Sequence, residues 1–446
     1  MNFLPGGTGK DKYVANQTNG EEKTMADTSR QRLVKTLNHE DPGKVVVDLG
    51  SSLVTGISAV ALSRLRDALG LEKRLVKVYE PMQVLGLVED DVLEALGVDV
   101  VGISTPYTCY GNKNENWIPW QVRGVDVLVG EGFETTMDEE GNTYVYPQGD
   151  RSVPPSAKMP ADGYYFDNIV RQGDISHENL NGREDFKNDF ACMTDAVVES
   201  IRERTEYYYN HTGYGINIGN FMCGPGDAAA IPGAGQKETK GIRSMEEWLV
   251  AHYTEPEYVH DVYDYLVEEA LKSYAKLKEA LGDMPQVIQV SGTDFGTQRT
   301  EFISPDMYRE FYKPYHVKVN KWIHENTNWK VMYHTCGSIV NLLDDLAEAG
   351  IDILNPVQCS AEGMDPHMLK EKYGDKFVFW GGGVDTQKTL PFGTPDEVYD
   401  EVAERLKIFA PGGGFVFNSI HNIQAPTPTE NILAMFEAVK DYNKDK

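Results

Sequence analysis

From about residue 280 the chain alternates short apolar runs with amphipathic stretches. "QVIQVS" (286–291) leads through a loop to "SPDMYREFYKPYHVKVNKWIHEN" (304–326), which reads as one helix. "KVMYH" (330–334) precedes "SIVNLLDDLAEAG" (338–350), where leucine, isoleucine and valine recur at helical spacing. "IDILN" (351–355), "FVFWGG" (377–382) and "GFVFN" (414–418) are further apolar runs, followed by helical patterns at 365–374, 394–410 and 427–444. Apolar runs of this kind predict strands buried on both faces, and the helices between them predict parallel crossovers. Repeated βα units build either an open doubly wound sheet or a closed barrel. There is no early G-x-G-x-x-G turn, and several runs end in polar or reactive residues, as strands do at a barrel mouth. The expected class is α/β, a (β/α)8 TIM barrel.

The N-terminal half is less regular. "KVVVDLG" (44–50) predicts a first strand, "GISAVALSRLRDALG" (56–70) its helix, and "DVVGIS" (99–104) another strand. Residues 105–182 are rich in Tyr, Trp, Gly and Pro and predict a β-rich, irregular insertion covering the barrel mouth. A helix is expected over 189–210 and a strand at "YGINIG" (214–219). The polar stretch 1–27 is expected to be a flexible arm, leaving 28–446 as a single barrel domain.

Charge narrows the function classes. The 446 residues carry 69 acidic and 42 basic side chains, a net charge of −27, which repels phosphate backbones and argues against nucleic-acid binding. No apolar run reaches membrane-spanning length, and the N-terminus lacks a basic region followed by an apolar one, so a cytoplasmic protein is expected. The five cysteines (109, 192, 223, 336 and 359) are scattered and odd in number, unlike a disulfide framework. Their expected chemistry is as thiolates on a metal.

"MYHTCGS" (332–338) places His334 and Cys336 two apart at a strand end, on the same side of the strand. Imidazole nitrogen and thiolate sulfur are zinc donors, and a catalytic zinc keeps one position open. His421, just beyond the last strand, is a candidate third ligand, with capping or substrate binding as the other reading. Asp294, in "SGTDFGTQRT", is a candidate oxygen ligand or substrate-fixing carboxylate, or else a turn residue. Gln358 and Cys359 follow the strand at 351–355. The glycines at 381–383 and "GPG" at 224–226 permit close approach, but no Lys-Ser/Thr follows to make a P-loop.

"DFGTQRTEFISPDMYREFYKPY" (294–315), "YHTCGSIVNLLDDLAEAGIDILNPVQ" (333–358), "WGGGVDTQKTLPFGTPDEV" (380–398) and "FVFNSIHNIQAPTPTENILAM" (415–435) resemble, in that order, the uroporphyrinogen decarboxylase superfamily, and more closely its corrinoid-dependent methyltransferase branch. The resemblance implies a (β/α)8 barrel that moves a methyl group between a small molecule and the cobalt of a separate corrinoid protein, with Zn²⁺ as Lewis acid. The branch has an H-x-C zinc pair where His334 and Cys336 stand. Its remaining cysteine ligand lies in the segment matching 417–426, where this chain has His421 and no cysteine. The implied roles are His334, Cys336 and His421 as metal ligands, Asp294 and Gln358 as catalytic residues, and Asn418 as a substrate contact. Tyr107, Trp117, Trp120 and Tyr165 are candidate walls for a flat apolar substrate, which favours a methoxylated aromatic donor, although they equally suit packing of the insertion. The arginine-rich N-terminal segment of the true decarboxylases is absent from 28–60. The alternatives are a metal-free lyase acting on a small carboxylate and a non-catalytic barrel that binds its ligand. A homodimer is a candidate assembly.

Overall fold

The computed structural model describes residues 26–219, 223–444 and 446, so nearly all of the arm expected over 1–27 lies outside the described residues. Eight parallel strands form one sheet: β1 (Val46–Val47), β2 (Val100–Ile103), β3 (Gly215–Gly219), β4 (Val287–Ser291), β5 (Lys330–His334), β6 (Ile353–Asn355), β7 (Val378–Trp380) and β8 (Phe415–Phe417). Their order is β1-β8-β7-β6-β5-β4-β3-β2. The end strands β1 and β2 meet through Asp99. Its N–H donates to the Val47 carbonyl (2.8 Å), and its carboxylate accepts from the Val47 N–H (2.9 Å). Ser29 and Arg32 hold the other carboxylate oxygen. A side chain thus stands in for a ladder carbonyl, and the sheet closes as the (β/α)8 barrel expected from the sequence.

Strand parity sorts the core into two shells. Val45, Val47, Val101, Ile288, Val331, Tyr333, Leu354, Phe379 and Phe417 face outward into the large cluster shared with the helices. Val46, Val100, Val287, Met332, Ile353, Val378 and Val416 face inward and form a separate cluster with Leu33 and Leu37. Those two leucines belong to the helix Ser29–Leu37, which plugs the lower end of the barrel. A Cβ at Gly215 would lie 2.4 Å from Leu33, so glycine is what lets the plug seat against β3. The helix is started by a reciprocal cap between Thr28 and Gln31. One inward step further along the strands the side chains turn polar: Asp48, Asn217, Gln289, His334, Asn355 and Asn418 are all buried at the strand C-terminal ends.

The outer helices follow the sequence periodicity, and three start with Pro in the first turn after a capping Ser, Asp or Thr (Ser304, Asp365, Thr394). The single helix expected over 304–326 is two, Pro305–Phe311 and Lys313–Asn326. Pro314 has no N–H to continue the first helix, and the chain breaks at Tyr312. The helix expected from 189 starts only at Asp195, where Thr194 caps it. Residues 118–168 contain antiparallel strands, four of which (135–137, 143–145, 157–159 and 167–168) make one sheet. A second sheet pairs 118–122 and 125–129 with 76–80 and 85–86, which lie outside the expected insertion. Among the described residues no helix is long and apolar enough to cross a membrane.

Leu33→Ala is expected to cost about 3 kcal/mol of stability, the range for truncating a buried leucine. Val34→Ala, on the exposed face of the same helix, is expected to change it by less than about 0.5 kcal/mol. Urea unfolding of the two variants measures the difference, and equal losses would contradict the plug.

Candidate metal centre at the barrel mouth

β5 carries His334 as its last residue, and the chain leaves the sheet through Thr335, whose N–H donates to the Asn355 carbonyl on β6 (2.7 Å). The next turn is fixed from three sides. The Cys336 N–H donates to Asp294 Oδ1 (2.7 Å), the Gly337 N–H to Gln358 Oε1 (2.7 Å), and the Gly296 N–H to the Cys336 carbonyl (3.1 Å). Gly337 has φ +86°, and a Cβ there would lie 2.4 Å from the Gly296 backbone, so the position takes only glycine without distortion. His421 arrives from the other side, in the loop after β8. The Ile420 N–H donates to the Val384 carbonyl (3.0 Å), and Ser419 Oγ to the His421 carbonyl (2.7 Å).

One nitrogen from each of His334 and His421 and the Cys336 sulfur lie within 4.8 Å of one another. The His334 tautomer follows from its partner. Asn355 Nδ2 donates to the Trp380 carbonyl (2.8 Å), which can only accept, so Asn355 Oδ1 faces His334 Nδ1 at 2.7 Å and takes its proton. That leaves Nε2 unprotonated, 3.2 Å from Cys336 Sγ and 3.6 Å from Asp294 Oδ1. This is the orientation a metal-binding histidine needs, with the second ring nitrogen anchored behind it. Burial lowers the proton affinity of both imidazoles, and for His421, helped by neighbouring His334, down to about 4. Both are therefore neutral donors at ordinary pH. Burial, together with the Asp294 carboxylate, pushes the Cys336 thiol well above its ordinary value. A divalent cation in place of the thiol proton reverses that balance. Two imidazoles and a thiol in reach of one point fit a tetrahedral zinc with one position left open.

The triad separates two cavities. One, of about 600 Å³, is lined by His334, His421, Asp294, Glu80, Asp227 and small residues of the 224–236 loop. The other, of about 420 Å³, is lined by Cys336, His421, Gln358 and the loops 296–298 and 385–387. Asp294 and Gln358 are thus beside the triad, as sequence reasoning expected of them. Asn418 is not: it is buried below, and its Nδ2 donates to the carbonyls of Asp48 (2.9 Å) and Thr55 (3.2 Å), so it braces the first loop. Tyr107, Trp117, Trp120 and Tyr165 line neither cavity. Tyr107 and Trp117 lie under the ammonium groups of Lys113 and Lys77, Trp120 packs edge-on against Phe133, and Tyr165 is half exposed. Their place is on and around the insertion's own core. Cys359 packs partly buried against the core. Sequence reasoning missed Glu80 and Asp227. Asp227 directly follows the flagged "GPG" turn, whereas no local pattern singles out Glu80.

A family model described as Uroporphyrinogen decarboxylase (URO-D) matches residues 176–442. The chain belongs to the uroporphyrinogen decarboxylase family. Similar proteins there include two named activities. A uroporphyrinogen decarboxylase of Prochlorococcus marinus (strain NATL1A) is 25% identical over 291 residues, 64% of this chain and 76% of the relative. A methylated-thiol–coenzyme M methyltransferase of Methanosarcina mazei is 25% identical over 201 residues, 45% of this chain and 48% of the relative. A solved methyltransferase structure from Methanosarcina mazei shares the fold over 93% of this chain and 99% of its own, with a TM-score of 0.53 and 18% identity. Within the family, then, the barrel is common property, and the chemistry rests on the mouth residues.

Asp227 supplies a pH signature of that mouth. Burial, with Asp294 nearby, raises its carboxyl from 3.8 to about 7. The folded chain binds this proton more tightly than the unfolded one, so stability falls as pH rises from about 4 to about 7 and stays lower above. Asp227→Asn is expected to raise the melting temperature at about pH 8 by several degrees and hardly at all at about pH 4. Thermal unfolding across pH checks it, and a pH-independent change would contradict the assignment.

Proposed function

We propose that this chain is a zinc-dependent methyltransferase that passes a methyl group between a small molecule and the cobalt of a corrinoid protein. The observation that carries the reading is the convergence of His334 Nε2, Cys336 Sγ and His421 at the boundary of two cavities. His334, Cys336 and His421 hold the metal, and Asn355 fixes the His334 tautomer. A zinc ion bound there would act as a Lewis acid on the substrate's oxygen or sulfur, stabilising negative charge as a methyl leaves or making a thiolate available at neutral pH. Asp294 holds the Cys336 turn through its N–H and faces the larger cavity, where it orients the substrate. Gln358 holds the Gly337 N–H and faces the smaller one.

The similarity to a methylated-thiol–coenzyme M methyltransferase supports the transfer reading. The decarboxylase relatives support the second reading, a lyase. The cavity argues against it: among the described residues no Lys or Arg lines it, whereas Glu80, Asp189, Asp227 and Asp294 do. A porphyrin polycarboxylate would meet repulsion there. Cytoplasmic residence and a dimer remain expectations of the sequence. The aromatic wall that favoured a methoxylated aromatic donor is not among the cavity residues, so donor choice rests on other features of the mouth.

Metal analysis of protein reconstituted with zinc is expected to give about one ion per chain, lost in Cys336→Ser and in His421→Ala. Asn355→Ala is expected to weaken zinc affinity about tenfold or more without removing a ligand. Methyl transfer to Co(I) cobalamin, followed by its visible spectrum, is expected from the zinc-loaded chain with a suitable donor. No metal after reconstitution would overturn the reading.

A further inference from the structure

Two buried carboxylates of the larger cavity have no Lys or Arg partner among the described residues. Glu80 is 6% exposed, and its oxygens accept from the N–H groups of Met82 (2.9 Å) and Gln83 (2.8 Å) and from the Cys109 thiol (3.6 Å). Asp227 is 8% exposed, and its Oδ1 accepts from the Ala229 N–H (2.7 Å). The wall's third buried acid, Asp189, differs, because Arg243 grips both its oxygens (2.9 and 3.1 Å). Among the described residues no basic side chain pairs with Glu80 or Asp227, and none lines the cavity.

Burial of an ionised carboxylate without a cation is strongly unfavourable. Burial raises the proton affinity of both groups. The remaining wall is mixed: Leu53, Val54, Met82, Phe190 and the alanines at 228–230 are apolar, and Gln83, Thr108, Gln148 and Gln236 are polar. An alkylated ammonium group, which spreads one positive charge beneath an apolar shell, satisfies both features at once. A hydrated inorganic ion leaves the apolar part of the wall without a partner, and an anion does not match the acids. A cavity of about 600 Å³ suits a small organic molecule of this kind.

We propose that the small molecule of this site is an organic cation, whose ammonium group lies against the buried acids of this cavity wall and whose oxygen or sulfur end faces His334 and His421. The proposal rests on the methyl-transfer reading for the fate of the methyl group, whereas recognition of charge stands on the cavity. It separates this mouth from one built for a carboxylate or sulfonate ligand.

Choline and 3,3-dimethylbutan-1-ol share shape and hydroxyl group and differ in the charge of one atom. Calorimetric titration of the full zinc-loaded chain at about pH 8, in matched sodium chloride, is expected to show choline binding at least about tenfold more tightly. Glu80→Gln and Asp227→Asn combined are expected to remove most of that preference while leaving the neutral alcohol unchanged. Equal or tighter binding of the alcohol, no measurable binding of choline, or a preference that survives both substitutions would overturn the proposal. The two probes on the unsubstituted chain decide it even where a variant fails to fold. Choline preference in a chain without zinc or methyl transfer sinks the transfer reading alone. Methyl transfer without choline preference sinks the charge proposal alone.

Discussion

The inward faces of the barrel strands change from apolar to polar at one level, and everything at the mouth depends on that step. Below it, Val46, Val100, Val287, Met332, Ile353, Val378 and Val416 close on the plug leucines. Above it, most strands present a polar group that must find a partner or face the mouth. Most are paired within the layer: Asp48 with Trp380 Nε1 (2.8 Å), Asn418 with the first loop, Asn355 with Trp380 and His334. His334 Nε2 points instead toward a sulfur and another imidazole. The candidate site is therefore where this polar layer meets the loops of the mouth.

Rigidity follows from the same arrangement. Backbone amides of Cys336 and Gly337 are held by side chains from two other loops, and the Gly296–Gly337 contact leaves no space for a Cβ. Ligand positions set by this many independent bonds are held before any ion arrives, which lowers the ordering cost of binding. The electrostatics are complementary to a cation rather than to an anion. Neutral imidazoles, a protonated thiol and several carboxylates surround one space, and positive charge, whether a metal or a substrate head group, relieves them all.

Much of this was legible in the sequence, and the reasons differ by element. Strands β4 to β8 were readable because strands buried on both faces carry continuous apolar runs. The His334–Cys336 spacing was readable because strand parity is local. The plug helix was not read, since its apolar face is two leucines in nine residues and gains meaning only from the barrel it enters. Asn418 was misread because a strand-end asparagine at a mouth serves substrate or a neighbouring loop equally well, and only the position of Asp48 and Thr55 decides. The aromatics of the insertion suit a pocket wall by composition, yet Tyr107 and Trp117 lie under lysines and Trp120 packs on Phe133. Glu80 and Asp227 were invisible as lining of one cavity because 147 positions separate them along the chain.

X-ray absorption at the zinc edge of the reconstituted chain tests the central claim most directly. A first shell of one sulfur at about 2.3 Å and two nitrogens near 2.0 Å, plus one exchangeable light atom, is the result expected from His334, Cys336 and His421. A shell with two or more sulfurs, or with none, would contradict it.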